Sequence, residues 1–366
     1  MKSNYRKLGE YIRQVDVRNT EGKEDHLLGV SVQKMFMPSI ANTIGTDFSK
    51  YKVVKRGQFT YIPDTSRRGD KIAIALLKDY DEGLVSNIYT VFEISDSQKL
   101  LPEYLMLWFS RPEFDRYARF KSHGSVREIM DWDELCKVEL PIPSYEVQAE
   151  IVREYQTIAD RIALKQKIND NLDKSIYTLF QYRFQNNKDR ILSGDSLDGW
   201  NISPLSELAE FKYGKMAPPE IITESGYPIY SGYRVVGYCN QYMFELPTLV
   251  VLARGVSGTG EVRISPPYCH LTNLSIAVLL NDRTYIHYLL YYLENDNLIS
   301  LDSGSAQSQI TINDLASHKV VIPPYEMLKK FDDDVIPLLK IMDANNREIE
   351  LLNQSEKMLL SRLSRH

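Results

Sequence analysis

GSVREIMDWDELCKVELPIPSYE (residues 124–146) and GSAQSQITINDLASHKVVIPPYE (residues 304–326) are two copies of one segment in this chain. The second copy follows the first by 180 positions without a gap, and seven positions are identical, including the Ile-Pro pair and the closing Tyr-Glu. This duplication predicts two copies of one structural unit. The alternative is that two amphipathic helices follow two similar Ile-Pro strand ends by chance.

The register of the repeat continues into a helical pattern after each copy. Apolar residues recur in alternating steps of four and three, which is typical of a coiled-coil seam. The predicted seam of the first helix consists of Ile151, Tyr155, Ile158, Ile162, Asn169, Leu172, Ile176 and Leu179. The predicted seam of the second helix consists of Phe331, Val335, Leu338, Met342, Asn345, Ile349, Leu352 and Leu359. An antiparallel pair with full overlap places Asn169 opposite Asn345. This register is favoured, because a slipped register would leave one amide facing an aliphatic side chain.

Length and composition agree with a duplicated globular protein. The chain has 366 residues, of which 43% are hydrophobic and 25% charged, so it is longer than one ordinary domain. The predicted fold class is α+β, with two globular α/β domains separated by two long helices that form an antiparallel coiled coil. The predicted parts are a first globular domain (1–146), a central long helix (147–186), a second globular domain (187–326) and a C-terminal long helix (327–366).

Several classes of protein are disfavoured. No apolar run approaches the roughly 18 residues that a membrane helix needs, and the N-terminus is too polar for a signal peptide, so we expect a cytoplasmic protein without membrane contact. The three cysteines, Cys136, Cys239 and Cys269, lack metal-ligand spacing, which argues against a zinc site or disulfide framework. The net charge of −5 argues against non-specific coating of DNA but allows local basic patches.

Shorter elements are also predicted. Residues 5–19 begin with a helical pattern that has a counterpart in residues 204–215. Residues 102–119 are predicted to form one helix, and the polar residues 186–200 are predicted to form the linker into the second half.

A basic segment, residues 48–72, is the first candidate for nucleic-acid contact. Its seven cations against two carboxylates give a balance of +5, and aromatic residues are interleaved with them. The cations are Lys50, Lys52, Lys55, Arg56, Arg67, Arg68 and Lys71. Basic side chains beside aromatic ones suit phosphate contact with base readout nearby. The alternative is an ordinary solvated loop face.

The second half contains further candidates for DNA contact. Arg254 begins the glycine-rich stretch RGVSGTG, and two glutamines lie in the repeated segment. The remaining candidates are Arg127, in the first copy of the repeated segment, and, in the second half, Lys212, Lys215, Arg234, Gln307 and Gln309.

Motifs for catalysis are incomplete. The tetrapeptide Ser265–Tyr268, SPPY, resembles the catalytic motif of amino-methyltransferases, but the nearest glycines lie too close to it for a separate cofactor-binding strand–helix unit. The glycines at 255, 258 and 260 lack the Gly-Lys-Ser/Thr ending of a P-loop, and no carboxylate cluster predicts a metal site. We therefore expect no catalytic residue, metal or cofactor on this chain.

The sequence resembles the specificity (S) subunits of type I restriction–modification systems over essentially its whole length. GSAQSQITINDLASHKVVIPPYE is the most specific piece, and VSNIYTVFEI (85–94), PEYL (102–105), YPIYSGYRVVGY (227–238) and the RGVSGTG loop are also similar to the family. The resemblance implies that each globular half is a target recognition domain for one half of a bipartite double-stranded DNA site. It also implies that the helices act as a spacer and receive two methyltransferase subunits.

The same resemblance implies how DNA methylation and cleavage are divided among the subunits. S-adenosylmethionine is expected on the methyltransferase partner, and ATP and magnesium on motor–nuclease subunits that complete the restriction complex. Two alternatives stay open: a specificity chain for a fused nuclease–methyltransferase, which has the same architecture, and a stand-alone methyltransferase that uses SPPY.

Overall fold

The computed structural model describes residues 4–22, 24–40, 45–64, 71–122, 129–255, 258–301 and 309–365. Its fold is α+β, as predicted. The chain divides into two compact units: unit 1 comprises Met1–Lys165 and Arg347–His366, and unit 2 comprises Gln166–Asn346. Each unit thus contains one globular part and a segment of each long helix. In the described part of the chain, no helix combines the length and apolarity needed to cross a membrane.

Unit 1 is built on an antiparallel sheet. Its described strands are β1 (Tyr5–Lys7), β2 (Ile12–Val15), β3 (Leu28–Val30), β4 (Phe36–Pro38), β5 (Lys52–Lys55), β6 (Phe59–Tyr61), β7 (Ile74–Leu76), β8 (Glu82–Val85), β9 (Thr90–Ile94) and β10 (Glu139–Pro141). Its helices are α1 (Pro102–Phe109), α2 (Pro112–Lys121), α3 (Trp132–Cys136) and the first part of α4 (Tyr145–Phe180). The central sheet has the order β2-β9-β6-β7, and β1-β10, β3-β4 and β5-β8 form separate two-stranded sheets.

Unit 2 repeats this plan and adds a second sheet. After α5 (Asn186–Leu192), its strands are β11 (Asn201–Pro204), β12 (Ala209–Tyr213), β13 (Ile222–Thr223), β14 (Tyr227–Tyr230), β15 (Val235–Cys239), β16 (Leu249–Leu252), β17 (Val262–Ile264), β18 (His270–Leu271), β19 (Ser275–Leu280) and β20 (Lys319–Ile322). Its helices are α6 (Ile286–Glu294), α7 (Ile312–Ser317) and the first part of α8 (Tyr325–Arg362). The sheet β12-β19-β16-β17 corresponds to β2-β9-β6-β7, and β13-β15-β14-β18 forms the additional sheet.

Equivalent hydrogen bonds in the two units show the duplication directly. The backbone N–H of Leu8 donates to the carbonyl of Val138 over 2.8 Å, and that of Leu205 donates to His318 over 2.9 Å. The partners His318 and Val138 are 180 positions apart, as in the repeated segment. The internal repeat is therefore a repeat of structure.

Aromatic side chains fill the core of each unit. In unit 1, the rings of Phe59 and Phe92 stack with centroids 4.9 Å apart. In unit 2, Phe184 packs against Tyr288 and Phe331, with centroids 4.9 and 5.2 Å apart. Complete burial of such a side chain contributes about 1.5–3 kcal/mol, as an upper bound. These clusters hold each sheet against its helices.

Three of the shorter predicted elements differ from the structure in extent. The short helical pattern predicted at the start of residues 5–19 is one 3-10 turn, Leu8–Glu10, between β1 and β2, and Leu8 and Ile12 are buried there at a sheet edge. Their counterpart, residues 204–215, also forms a single turn followed by a strand. Residues 102–119 lie in two helices, because Pro112 lacks the N–H that a continuous helix requires and begins α2.

The predicted linker, residues 186–200, begins as helix. A π turn at Gln181–Gln185 joins α4 to α5 without leaving helical geometry. The side chains of Lys188 and Ile191 are buried in unit 2, so they pack rather than connect. Only the residues after Leu192 have the irregular structure of a linker.

The long helices run antiparallel within each unit. In unit 1, Glu348 of α8 accepts from Arg161 of α4 over 2.5 Å and lies 2.8 Å from the Lys165 ammonium. In unit 2, the side-chain amide of Asn345 donates to that of Asn169 over 2.8 Å. This hydrogen bond confirms the predicted pairing of the two asparagines. All sixteen predicted seam residues are buried or half-buried.

The two long helices differ at one equivalent position. Pro337 lies inside α8, whereas Thr157 stands 180 positions earlier inside α4. A proline within a helix removes one backbone hydrogen bond and clashes with the preceding turn. The second helix is therefore locally weaker than the first.

Candidate nucleic-acid interface

Arg254 and Gln309 come together at the loop end of the central sheet of unit 2. β16 ends at Leu252, and the N–H groups of Ala253 and Arg254 both donate to the carbonyl of Leu274, over 2.8 and 3.2 Å. Arg254 and Gln309 form an isolated antiparallel bridge, although they are 55 positions apart. Arg254 is exposed and Gln309 half-buried, so a cation and an amide are presented at the same edge.

The loop end of unit 1 has the same backbone arrangement with a different side chain. Asp64 and Ile129 form the equivalent isolated bridge. The N–H of Met130 donates to the carbonyl of Pro63 over 2.9 Å, as that of Ile310 does to Ala253. Asp64 therefore occupies in unit 1 the position of Arg254 in unit 2.

Two further cations of unit 2 lie on loops attached to the same edge. The N–H of Lys215 donates to the carbonyl of Leu271, and the carbonyl of Lys215 accepts from His270 over 3.1 Å. The guanidinium of Arg234 lies 5.5 Å from the ring centre of Tyr233, which is itself half exposed. A cation beside an exposed aromatic ring is suited to phosphate and base contact.

Two glycines allow these loops to approach one another. A Cβ on Gly214 would lie 2.0 Å from the carbonyl oxygen of Thr272. Gly232 has a φ of +102°, and a Cβ there would lie 2.2 Å from the hydroxyl of Ser275. Only glycine fits at either position, so the sequence of these loops is adapted to their close packing.

Two polar residues at this edge, Thr272 and Asn273, were not predicted from the sequence. The hydroxyl of Thr272 and the side-chain oxygen of Asn273 are buried and have no hydrogen-bond partner within the described residues. Both lie next to Leu274, whose carbonyl holds Arg254. Their signal in the sequence is a polar Thr-Asn pair between the apolar strands β18 and β19, which could have marked them as candidates.

In unit 1, three cations of segment 48–72 already have protein partners. The Lys52 ammonium donates to the carbonyl of Tyr89 over 2.9 Å, and only 14% of its side chain is exposed. Lys52 is therefore a poor candidate for DNA contact. Arg56 donates to Asp81 over 2.9 and 3.0 Å, and Lys50 lies 3.4 Å from Asp47.

The other residues predicted to contact DNA are exposed in one of the two units or lie outside the described residues. Lys55 and Lys71 are exposed in unit 1, and Lys212 is exposed on β12 in unit 2. Lys55 borders a groove of about 530 Å³ that also contains Glu21, Asp25 and Glu82, so the charge there is mixed. The candidates outside the described residues are Arg67, Arg68, Arg127 and Gln307.

The SPPY tetrapeptide lies in the connection between β17 and β18. Ser265 is buried, and its hydroxyl accepts from the N–H of Thr248 over 3.1 Å. The ring of Tyr268 packs against those of Tyr227 and Tyr242. These contacts give both residues structural roles: Ser265 holds the segment that leads into β16, and Tyr268 packs against the first residue of β14. Among the described residues, no group of three or more His, Cys, Asp or Glu is arranged to hold a metal ion.

Part of the chain matches the sequence model of a known protein family. The sequence model of the type I restriction modification DNA specificity domain matches residues 197–357. The specificity subunit of the type I restriction enzyme MjaIX from Methanocaldococcus jannaschii is 25% identical, with 72% of this chain and 68% of that protein covered.

A solved structure has the same fold. The crystal structure of the S subunit of a type I restriction–modification system from M. genitalium matches with a TM-score of 0.63 and 17% identity, covering 98% of this chain and 95% of that one. Residues 197–357 are thus similar to the type I restriction modification DNA specificity domain, and the chain is similar in sequence to a type I specificity subunit over 72% of its length. The predicted resemblance to the specificity subunits of type I restriction–modification systems is confirmed.

Proposed function

We propose that each unit of this chain reads one half of a bipartite double-stranded DNA site for a type I restriction–modification complex. The observation that carries the proposal is the repeated loop end, where Asp64 with Ile129 and Arg254 with Gln309 hold equivalent positions. Two copies of one frame with different side chains at the same edge suit two different half-sites. An exposed arginine reads guanine well, because its planar fork matches the acceptors in the major groove.

The other cations at these edges position the protein on the phosphate backbone. In unit 2 this role falls to Lys215 and Arg234, with Lys212 nearby along β12. In unit 1 it falls to the exposed Lys55 and Lys71, together with arginines of the same segment. Contacts to phosphate orient a protein on DNA, whereas contacts to base edges carry the sequence information.

The long helices set the spacing between the half-sites and dock two methyltransferase subunits. The Asn169–Asn345 hydrogen bond supports this role, because it penalises slipped registers that would change the spacing. Motor–nuclease subunits complete the complex. S-adenosylmethionine is bound by the methyltransferase partner, and ATP and magnesium by the motor partner.

Methyl transfer by the separate and assembled components tests this division of roles. The purified chain with DNA and S-adenosylmethionine is expected to transfer no methyl groups, and addition of methyltransferase subunits is expected to produce methylation at a bipartite site. Transfer by the chain alone that Pro267→Ala abolishes would instead assign catalysis to SPPY.

A further inference from the structure

A β-hairpin occupies the same place in the fold of each unit. In unit 2 the hairpin β14-β15 pairs in parallel with β18, the strand that precedes β19. In unit 1 the hairpin β3-β4 begins at Leu28, and Leu27 forms a parallel bridge with Leu84 of β8, the strand that precedes β9. Because β19 and β9 hold the same position in the two central sheets, the two hairpins are equivalent as well.

The tip of the unit 1 hairpin turns its cation into the protein. The Lys34 ammonium donates to the carbonyl of Ile72 over 2.7 Å and to the carboxylate of Asp115 over 2.6 Å. Only 8% of the Lys34 side chain is exposed. The exposed side chains on either side of it, Gln33 and Met35, carry neither a charge nor an aromatic ring. This tip is fastened to its own unit and offers no cation to DNA.

The tip of the unit 2 hairpin turns an aromatic ring and a cation outward. Tyr233 is 50% exposed, and the exposed guanidinium of Arg234 lies 5.5 Å from its ring centre. The two tips thus share a backbone plan and differ in the side chains that they expose. The same kind of difference separates Asp64 from Arg254 at the loop ends of the two units.

The backbone of the unit 2 tip is packed against the edge that carries Arg254. The hydroxyl of Ser275 donates to the carbonyl of Ser231 over 3.2 Å. At the next residue, a Cβ on Gly232 would lie 2.6 Å from the side chain of Leu252, so only glycine fits there. Leu252 ends β16 two positions before Arg254. The ring that follows Gly232 is therefore presented beside Arg254.

This position determines which groups of DNA the ring can meet. The proposed guanine contact of Arg254 lies in the major groove, where the guanine acceptors O6 and N7 are displayed. The apolar group that a base pair displays in that groove is the C5-methyl of thymine. A ring beside Arg254 is suited to bury such a methyl group, and a cation beside the ring is suited to the neighbouring phosphate.

We propose that Tyr233 is a second sequence-reading residue of unit 2, and that its ring packs on the methyl group of a thymine beside the guanine read by Arg254. Arg234 contacts the adjacent phosphate. Unit 1 makes no equivalent contact, because the cation of its hairpin, Lys34, is turned inward. The inference rests on the proposed function and adds a second base to the half-site of unit 2.

The test replaces thymine by uracil, which removes only the methyl group. The DNA motif is first determined by methylation-aware sequencing of a host that carries the chain and its partner subunits, and Arg254→Ala identifies the half read by unit 2. Duplexes of that motif, with uracil at each thymine of this half in turn, are titrated with the assembled methyltransferase complex. Uracil at one position beside the guanine is expected to weaken binding about fourfold, the loss for one buried methyl group.

Three variants connect this loss to the hairpin tip. Tyr233→Ala is expected to weaken binding of the thymine duplex about fourfold and to make uracil harmless, because both changes remove the same contact. Tyr233→Phe keeps the ring and is expected to keep the full preference for thymine. Tyr238→Ala is the matched control, since Tyr238 is 43% exposed on the same hairpin, away from its tip, and is expected to change nothing.

Four results would overturn the inference: a unit 2 half-site without thymine, equal affinity for thymine and uracil at every position, an undiminished preference for thymine in Tyr233→Ala, or losses of equal size in Tyr233→Phe and Tyr233→Ala. The proposed function would survive each of them as long as the motif has two halves and Arg254→Ala relaxes one. A single continuous motif would contradict the proposed function itself, and the inference would fail with it.

Discussion

Unit 1 and unit 2 share a buried frame and differ at its exposed loop end. In the frame, Tyr104 and Tyr288 each donate a hydroxyl hydrogen bond to the carbonyl of an equivalent strand. At the loop end, Asp64 of unit 1 takes the position of Arg254 of unit 2. Buried hydrogen-bond geometry fixes the frame, because unmade bonds there are costly. Loops carry fewer packing constraints than a core, so the loop end can differ between the two units.

The largest difference between the units is expected in phosphate contact by segment 48–72 of unit 1. Neutralising Lys55, Arg56, Arg67 and Arg68 together is expected to weaken DNA binding and flatten its salt dependence, because each phosphate contact contributes about 0.9 to the slope of log affinity against log salt. Binding is measured between low and moderate salt.

The partners observed in unit 1 give this experiment a control. Arg56→Gln alone is expected to account for the smallest share, since Arg56 already donates to Asp81. A slope that is unchanged in the fourfold variant would remove the segment from the interface.

Base recognition by Arg254 is expected to be the next largest effect. Arg254→Ala is expected to cost about 1–3 kcal/mol of binding free energy and to relax specificity in one half-site only. Arg254→Asp, which copies Asp64, is expected to cost more because it adds repulsion from phosphate. Affinities for DNA sites altered in one half or the other give the measurement. Equal losses in both halves would mean that Arg254 acts through folding.

The two long helices differ at one equivalent position, Pro337 in α8 and Thr157 in α4, and this difference is expected to affect stability. Replacing Pro337 by Thr, the residue at the equivalent position of α4, is expected to raise the free energy of unfolding by about 1–2 kcal/mol, because it restores a helical hydrogen bond. Thr157→Pro is the reverse change and is expected to destabilise the chain. Urea unfolding measures both. A loss of stability in Pro337→Thr would show that the proline is required for packing.

The smallest expected effect is on the pH dependence of unfolding, through one carboxylate of unit 2. The hydrogen bond from His318, reinforced by Lys188, holds the pKa of Asp296 below its ordinary value. A lowered pKa stabilises the fold above the unfolded value of about 3.9, and this stabilisation is lost as pH falls through the folded pKa. Asp296→Asn is expected to reduce the acid sensitivity of unfolding by less than about 1 kcal/mol. Identical pH profiles below pH 4 would contradict this role.

The repeat and the helices could be predicted from the sequence because their signals are periodic and doubled. The zero-gap offset gave the equivalence of Val138 and His318, and the four-three spacing gave the pairing of Asn169 with Asn345. Such patterns record burial, which repeats with the geometry of the helix.

The loop end could be predicted only in part. The glycine-rich stretch marked Arg254, but the bridge between Arg254 and Gln309 depends on a return of the chain that local sequence does not specify. The positive charge of segment 48–72 did not reveal that Lys52 has a structural role, because its partner Tyr89 lies 37 positions away in the sequence. Partners distant in sequence decide which cations remain available to DNA.

Methylation-aware sequencing of a host genome tests most directly whether each unit reads one half-site. The host carries the partner subunits with either the unmodified chain or Arg254→Ala. The expected motif has two defined halves separated by undefined bases, and Arg254→Ala is expected to relax one half while the other stays unchanged. A single continuous motif, or relaxation of both halves, would contradict the assignment of one half-site to each unit.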